Sequence, residues 1–186
     1  MEIRCPTDCV YLTTARTHPP AAVQKQQQYD IQVLAPALSS LTERQTQLFF
    51  LIGSALLRHR VAESLQRTLD DDVAAAGASL AATYETAGRG VIYEHQPDGL
   101  PAQRLAQALK AALRELIERG GRSIERDLAV VMRRIEKGAR ETRAATQAGD
   151  TAFLDLLSRV LTRFQGAADP SPTESRLVAP IDLAER

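Results

Sequence analysis

Residues 73–95 read VAAAGASLAATYETAGRGVIYEH. Val73, Gly77, Leu80, Tyr84, Ala87, Val91 and His95 recur at steps of three or four, the spacing of one face of an α-helix. Around that stripe lie Ala74, Ala75, Ala76, Ala78, Ala81 and Ala82, small side chains that let neighbouring helices come close. The pattern predicts a central helix whose apolar stripe continues through Gly88 and Gly90 to His95. Strands favour β-branched and aromatic residues, which this stretch largely lacks. Asp70-Asp71-Asp72, just ahead of it, places negative charge at the positive end of the helix dipole.

Working outward, the flanking segments carry the same period. Towards the N-terminus, Leu41, Leu48, Leu51, Ile52 and Ala55 mark a helix over about Leu41–Arg60, with Ser40 as its cap and Glu43 reaching back. Before it, Val23, Gln27, Ile31, Leu34 and Leu38 mark a helix over 21–38 that Pro36 kinks or ends. Towards the C-terminus, Gln96-Pro97-Asp98-Gly99 reads as a turn, and Pro101 suits the first turn of the next helix. That helix presents Leu105, Leu109, Leu113, Leu116 and Ile117 until Gly120-Gly121 stops it. Ser123 then caps another, with Ile124, Leu128, Val131, Ile135 and Ala139 on one face. Beyond Gly149-Asp150, a last helix carries Phe153, Leu156, Leu157, Val160, Leu161 and Phe164.

The sum is an all-α bundle of five or six helices over residues 21–166. A small Cys/His knuckle (1–20) precedes it and a Pro/Ser-rich tail (167–186) follows, flexible or used for docking. Composition agrees, since the 186 residues include 29 alanines and 23 leucines, with aromatics at 4% and no tryptophan. The 23 basic and 23 acidic side chains cancel, which excludes a large uniform field for gripping a nucleic acid or an anionic membrane. The first residues lack the layout of a secretory signal, and no apolar run approaches membrane-spanning length, so the expected location is cytoplasmic.

Two places carry chemistry. Cys5-Pro6-Thr7-Asp8-Cys9 with His18 offers thiolate and imidazole donors on a proline turn leading into a short helix. Only two cysteines exist, so a tetrahedral zinc site needs more donors, and the most economical set is Cys5, Cys9, His18 and His95. Asp8 and Glu94 are spare oxygen ligands. The competing reading is a pair of ordinary thiols near a chain end. The second place is the polar cluster Tyr84, Glu85, Arg89 and Glu94 on the central helix. Glu85 and Arg89 are four apart and can pair, while a half-buried Glu85 needs a partner or a metal. An ion pair beside a hydrogen-bonded core histidine is the structural alternative.

Other patterns point to less. Glu94 and His95 are adjacent, and His59 and Glu63 are four apart, so the Glu-x-x-His spacing of di-iron bundles is missing. Leu41-Thr42-Glu43-Arg44-Gln45, with Leu48 and Ile52, is similar to the opening helix of some winged-helix repressors. No recognition helix or wing hairpin follows it, and a capped amphipathic helix spells the same letters. Arg122, Arg126, Arg133, Arg134, Lys137, Arg140 and Arg143 interleave with Glu125, Asp127, Glu136 and Glu141, the pattern of a solvated face with ion pairs. The arginine excess, 20 against 3 lysines, reads as a bias of coding composition.

The leading expectation is a non-enzymatic helical protein, its N-terminus pinned by structural zinc. It acts through a protein partner or through self-association of the alanine-rich helix as a homodimer. The alternative is a metal-dependent enzyme or small-ligand-binding bundle using Tyr84, Glu85, Arg89 and Glu94. A DNA-binding regulator using residues 40–60 stands third.

Overall fold

A computed structural model describes residues 21–62, 67–91, 93–145 and 149–168. They form five helices and, among the described residues, no strand: α1 (Ala21–Leu38), α2 (Glu43–Ala62), α3 (Asp70–Gly88), α4 (Leu100–Ala145) and α5 (Ala152–Ala168). The all-α expectation holds at the lower of its two counts. The fourth and fifth helices expected from sequence are the two halves of α4, joined through a kink at Gly121. Gly121 adopts φ 54° and ψ −147°, a conformation nearly closed to residues with a Cβ, so α4 bends there without a connecting loop. The proposed knuckle at 1–20 lies outside the described residues, as does the tail beyond Ala168.

Local chemistry explains where the helices begin and end. At the start of α2 the Gln45 N–H donates to Thr42 Oγ1 (3.3 Å), and the Thr42 N–H donates to Gln45 Oε1 (3.1 Å). The capping box is therefore Thr42–Gln45, two residues later than the expected Ser40–Glu43. Pro36 sits in the last turn of α1, which ends at Leu38. At the start of α3 the Leu69 N–H donates to the Asp72 carboxylate at 2.9 Å.

The end of α3 corrects the reading of residues 73–95. The Gly90 N–H donates to Ala87 O (2.8 Å) and the Val91 N–H to Thr86 O (3.0 Å), the paired bonds of a Schellman motif, with Gly90 at φ 86°. Once glycine offers the left-handed conformation, the last carbonyls of α3 find partners and the helix stops, although the apolar period runs on. Val91 is consequently 56% exposed. Residues 93–97 then run alongside α3 as a strap. Ser79 Oγ donates to His95 O (2.8 Å), the His95 N–H donates to Thr83 Oγ1 (3.0 Å), and Thr86 Oγ1 lies 3.4 Å from Tyr93 O. Ser79, Thr83 and Thr86 lie on one face of α3, so their hydroxyls supply the partners that a neighbouring strand would otherwise give.

The core forms around α3, whose most extensive packing is with α4. Ala74, Ala76, Leu80 and Ala81 are buried with Leu105, Leu109 and Leu113 of the first half of α4 and Leu128, Met132 and Ile135 of the second. A Cβ added at Gly77 would stand 3.2 Å from Met132 O and 3.3 Å from Glu136 N, so α3 and α4 approach backbone to backbone. The small-residue face expected to draw helices together is thus used within the chain itself. On α2 the buried line is Leu48, Phe49, Ile52 and Leu56, while Leu51, expected inside, is 44% exposed. The run from Leu48 to Leu57 is apolar nearly all round, so its period could not choose the inward face.

Two buried carboxylates fasten the outer helices. Asp70, at the first turn of α3, accepts the N–H groups of Phe153 (2.9 Å) and Leu154 (3.2 Å), which caps α5 from another helix. Asp30, in α1, is fully buried and held by Arg159 (2.9 Å), Arg163 (3.0 Å) and Gln26 (2.9 Å). That cluster turns α1 so that Asp30 and Leu34 face inward, leaving the expected Ile31 63% exposed. Among the described residues no helix is long and apolar enough to cross a membrane.

Candidate functional site

Tyr84 lies near the C-terminal end of α3 and is 5% exposed. Its hydroxyl is the one buried side-chain polar atom without a hydrogen-bond partner among the described residues. Burial, reinforced by the charges of Glu125 and Glu94, pushes its pKa up to about 12, so the group remains a neutral donor. A buried hydroxyl with no partner is uncommon and costs stability.

Tyr84 lines two clefts. The larger, about 560 Å³, runs between α3 and the second half of α4. It is walled by Glu85, Arg89, Arg126, Arg133 and Arg134, with apolar surface from Gly88, Ala129 and Val130. The smaller, about 390 Å³, lies between α3, the strap and the first half of α4, and includes Thr83, Tyr93, Glu94, Lys110 and Arg114. Both volumes fall in the size range of small-ligand pockets.

Electrostatics divides the larger cleft into a closed part and an open part. Arg133 grips both oxygens of Glu85 (2.8 and 3.1 Å) and reaches Glu136 at 3.0 Å, while Arg140 holds the other oxygen of Glu136 at 2.9 Å. Hydrogen bonds from Arg133 hold the Glu85 carboxyl below its ordinary range against the opposing effect of burial. Glu85 is therefore a fixed anion and a weak base near neutral pH. The expected Glu85–Arg89 pair does not form. A planar guanidinium arriving from α4 makes two parallel bonds, and Arg89 acts on Glu85 only through space. By contrast, Arg89, Arg126 and Arg134 make no ion pair among the described residues, and the one side-chain bond of Arg126 is to Arg122 O at 3.4 Å.

Of the residues expected to form one cluster, Tyr84, Glu85 and Arg89 come together, and Glu94 is carried to the other cleft, where it pairs with Lys110. The early stop of α3 separates them. His95 lies on the strap, bonded to α3 through its backbone, with its ring edge-on to Tyr93 at 4.7 Å. Cys5, Cys9 and His18, the other expected zinc ligands, lie outside the described residues. Among the described residues no three His, Cys, Asp or Glu side chains are grouped to hold a metal.

Two features escaped the sequence reading. The first is the gathering of unpaired arginines, since the interleaved charges of α4 read as self-neutralising along their own helix. In space, Glu136 pairs with Arg133 and Arg140, Glu141 with Lys137 and Asp127 with Arg44 of α2, while Arg126 and Arg134 line the cleft towards α3. The second is the strap, whose legible signal was the Ser79, Thr83, Thr86 stripe. No known protein family, curated protein or solved structure matches this chain.

Proposed function

We propose that this chain is a non-enzymatic helical binding module, cytoplasmic in location, whose working surface is the pair of clefts flanking Tyr84. The observation that carries this reading is the buried Tyr84 hydroxyl, left without a partner between two ligand-sized clefts. The hydroxyl is closed to solvent, so a ligand that opens either cleft towards it supplies the missing acceptor and offsets the cost of burying the group. The proton-transfer candidates are engaged elsewhere, Glu85 by Arg133 and Glu94 by Lys110, which favours binding over catalysis. Structural zinc at Cys5, Cys9 and His18, with His95 as fourth ligand, stays part of the proposal, as does a protein partner or second copy.

Tyrosine-selective isotope labelling tests the reading. In a screen of small anionic, neutral and cationic aromatic fragments, binders are expected to move the ring resonances of Tyr84 and leave Tyr29, exposed on α1, unchanged. If Tyr84 responds to none of the three charge classes, the module reading fails.

A further inference from the structure

We infer that the larger cleft is an anion site for a small molecule that joins a phosphate group to an apolar body. This rests on the binding-module reading above and names the ligand class. One carboxylate, Glu85, faces four guanidiniums there, and Arg133 alone already satisfies it with two hydrogen bonds. Arg89, Arg126 and Arg134 remain without ion pairs among the described residues, and Glu125, whose charge also reaches Tyr84, is not among the residues lining the cleft.

The placement of these arginines is built into the packing. A Cβ at Gly88 would stand 3.2 Å from Arg126 Cγ, so the absence of a side chain there lets the stem of Arg126 lie against α3. The C-terminal dipole of α3 attracts cations too, but it amounts to about half a charge. The carbonyls of Thr86 and Ala87 are moreover already used by the Schellman bonds. Arg122, whose Nη2 lies 3.7 Å from where a Gly90 Cβ would be, also approaches that turn. About half a charge at that helix end cannot balance Arg89, Arg122, Arg126 and Arg134 together.

The chemistry of the walls selects the ligand. Guanidinium forks match phosphate oxygens in pairs. Val130, 41% exposed between Arg126 and Arg134, offers apolar contact beside them together with Ala129 and the Tyr84 ring. An extended polyanion fits poorly, because further along α4 the Arg133–Glu136–Arg140 and Lys137–Glu141 pairs end the unbalanced patch.

Phenyl phosphate is the probe, with inorganic phosphate, phenol and a hexaglutamate peptide as comparisons. Binding is followed by NMR at the arginine Nε–H and tyrosine ring signals and by calorimetry. Saturable binding of phenyl phosphate is expected, tighter than that of inorganic phosphate or phenol, with shifts at Arg126, Arg134 and Tyr84. Arg126→Gln/Arg134→Gln should weaken it by about tenfold or more, whereas Arg119→Gln, on an exposed pair with Glu115, should leave it unchanged. Both replaced arginines lack ion pairs among the described residues, so circular dichroism should show the variant folded. Three results overturn the inference: equal affinity in the double variant, no saturation by phenyl phosphate, or stronger binding of hexaglutamate. If phenol still moves Tyr84 in any of those cases, the binding module survives without its anion site. If no probe moves Tyr84, both fall.

Discussion

Asp30 and Asp70 are both buried carboxylates, yet their surroundings drive them in opposite directions. At Asp30 burial alone would raise the pKa, but hydrogen bonds from Arg159 and Gln26 and the charges of Arg159 and Arg163 together outweigh it, leaving the value lowered. At Asp70 burial wins over the two backbone N–H groups it accepts, and the value is raised. Through linkage, Asp30 contributes stability above the ordinary carboxylate pKa, lost as pH falls through its depressed folded value. Asp70 has the reverse sign, its contribution declining as pH rises from the ordinary value through the raised one. Asp30→Asn should lower unfolding free energy by about 2–3 kcal/mol at pH 7, because two guanidiniums lose their anion, and the difference should shrink towards pH 3. Urea unfolding at the two pH values measures this, and an equal loss at both would contradict the ionic account. Neither role was legible in the sequence. Asp30 sits mid-helix among glutamines, and its two arginine partners are 129 and 133 residues away. A local spacing rule cannot see across that distance.

Among the elements, α3 and α4 show how far periodicity reaches. The period of 3.6 identified α3, its inward face through Tyr84 and its place at the centre, because alanine and glycine at close spacing leave few other uses for such a helix. It overran the end of α3, since Val91 and His95 continue the count after the backbone has turned at Gly90. It placed the break at Gly120-Gly121 correctly, since Gly121 leaves helical geometry and divides residues 100–145 into two helical halves joined at a kink. The close contact at Gly77 gives a prediction opposite to helix propensity. Replacing glycine by alanine within a helix usually gains about 1 kcal/mol. Here the added methyl meets the backbone of Met132 and Glu136, which cannot swing aside as a side chain would. Gly77→Ala is therefore expected to destabilise by about 1–2 kcal/mol, read from the thermal midpoint. A raised midpoint would show that the helices can separate at little cost.

For the molecule as a whole, zero net charge conceals an uneven distribution. Ion pairs such as Arg60–Asp155, Lys137–Glu141 and Arg143–Asp71 cancel charge around α4 and α5, and the arginines facing α3 at the larger cleft remain unbalanced. The proposed knuckle concerns the same scale, since zinc held by Cys5, Cys9, His18 and His95 would join residues 1–20 to the strap. Protein purified without added metal should hold about one equivalent of zinc, and a chelator should lower the thermal midpoint. Both effects should vanish in Cys5→Ser, and metal-free protein with an unchanged midpoint would remove zinc from the proposal. By itself the sequence determined the helical class, the central place of residues 73–88, the turn before Pro101 and the leucine-rich faces of α4. These are consequences of capping and of a 3.6-residue period, which act within a few turns. Tertiary structure alone decided that Glu85 pairs with Arg133, that Asp30 turns α1 inward, and that Arg126 and Arg134 meet Arg89 beside Tyr84. Each of those outcomes depends on which helix faces follow one another in space, and on the direction in which Gly121 and Gly90 redirect the chain.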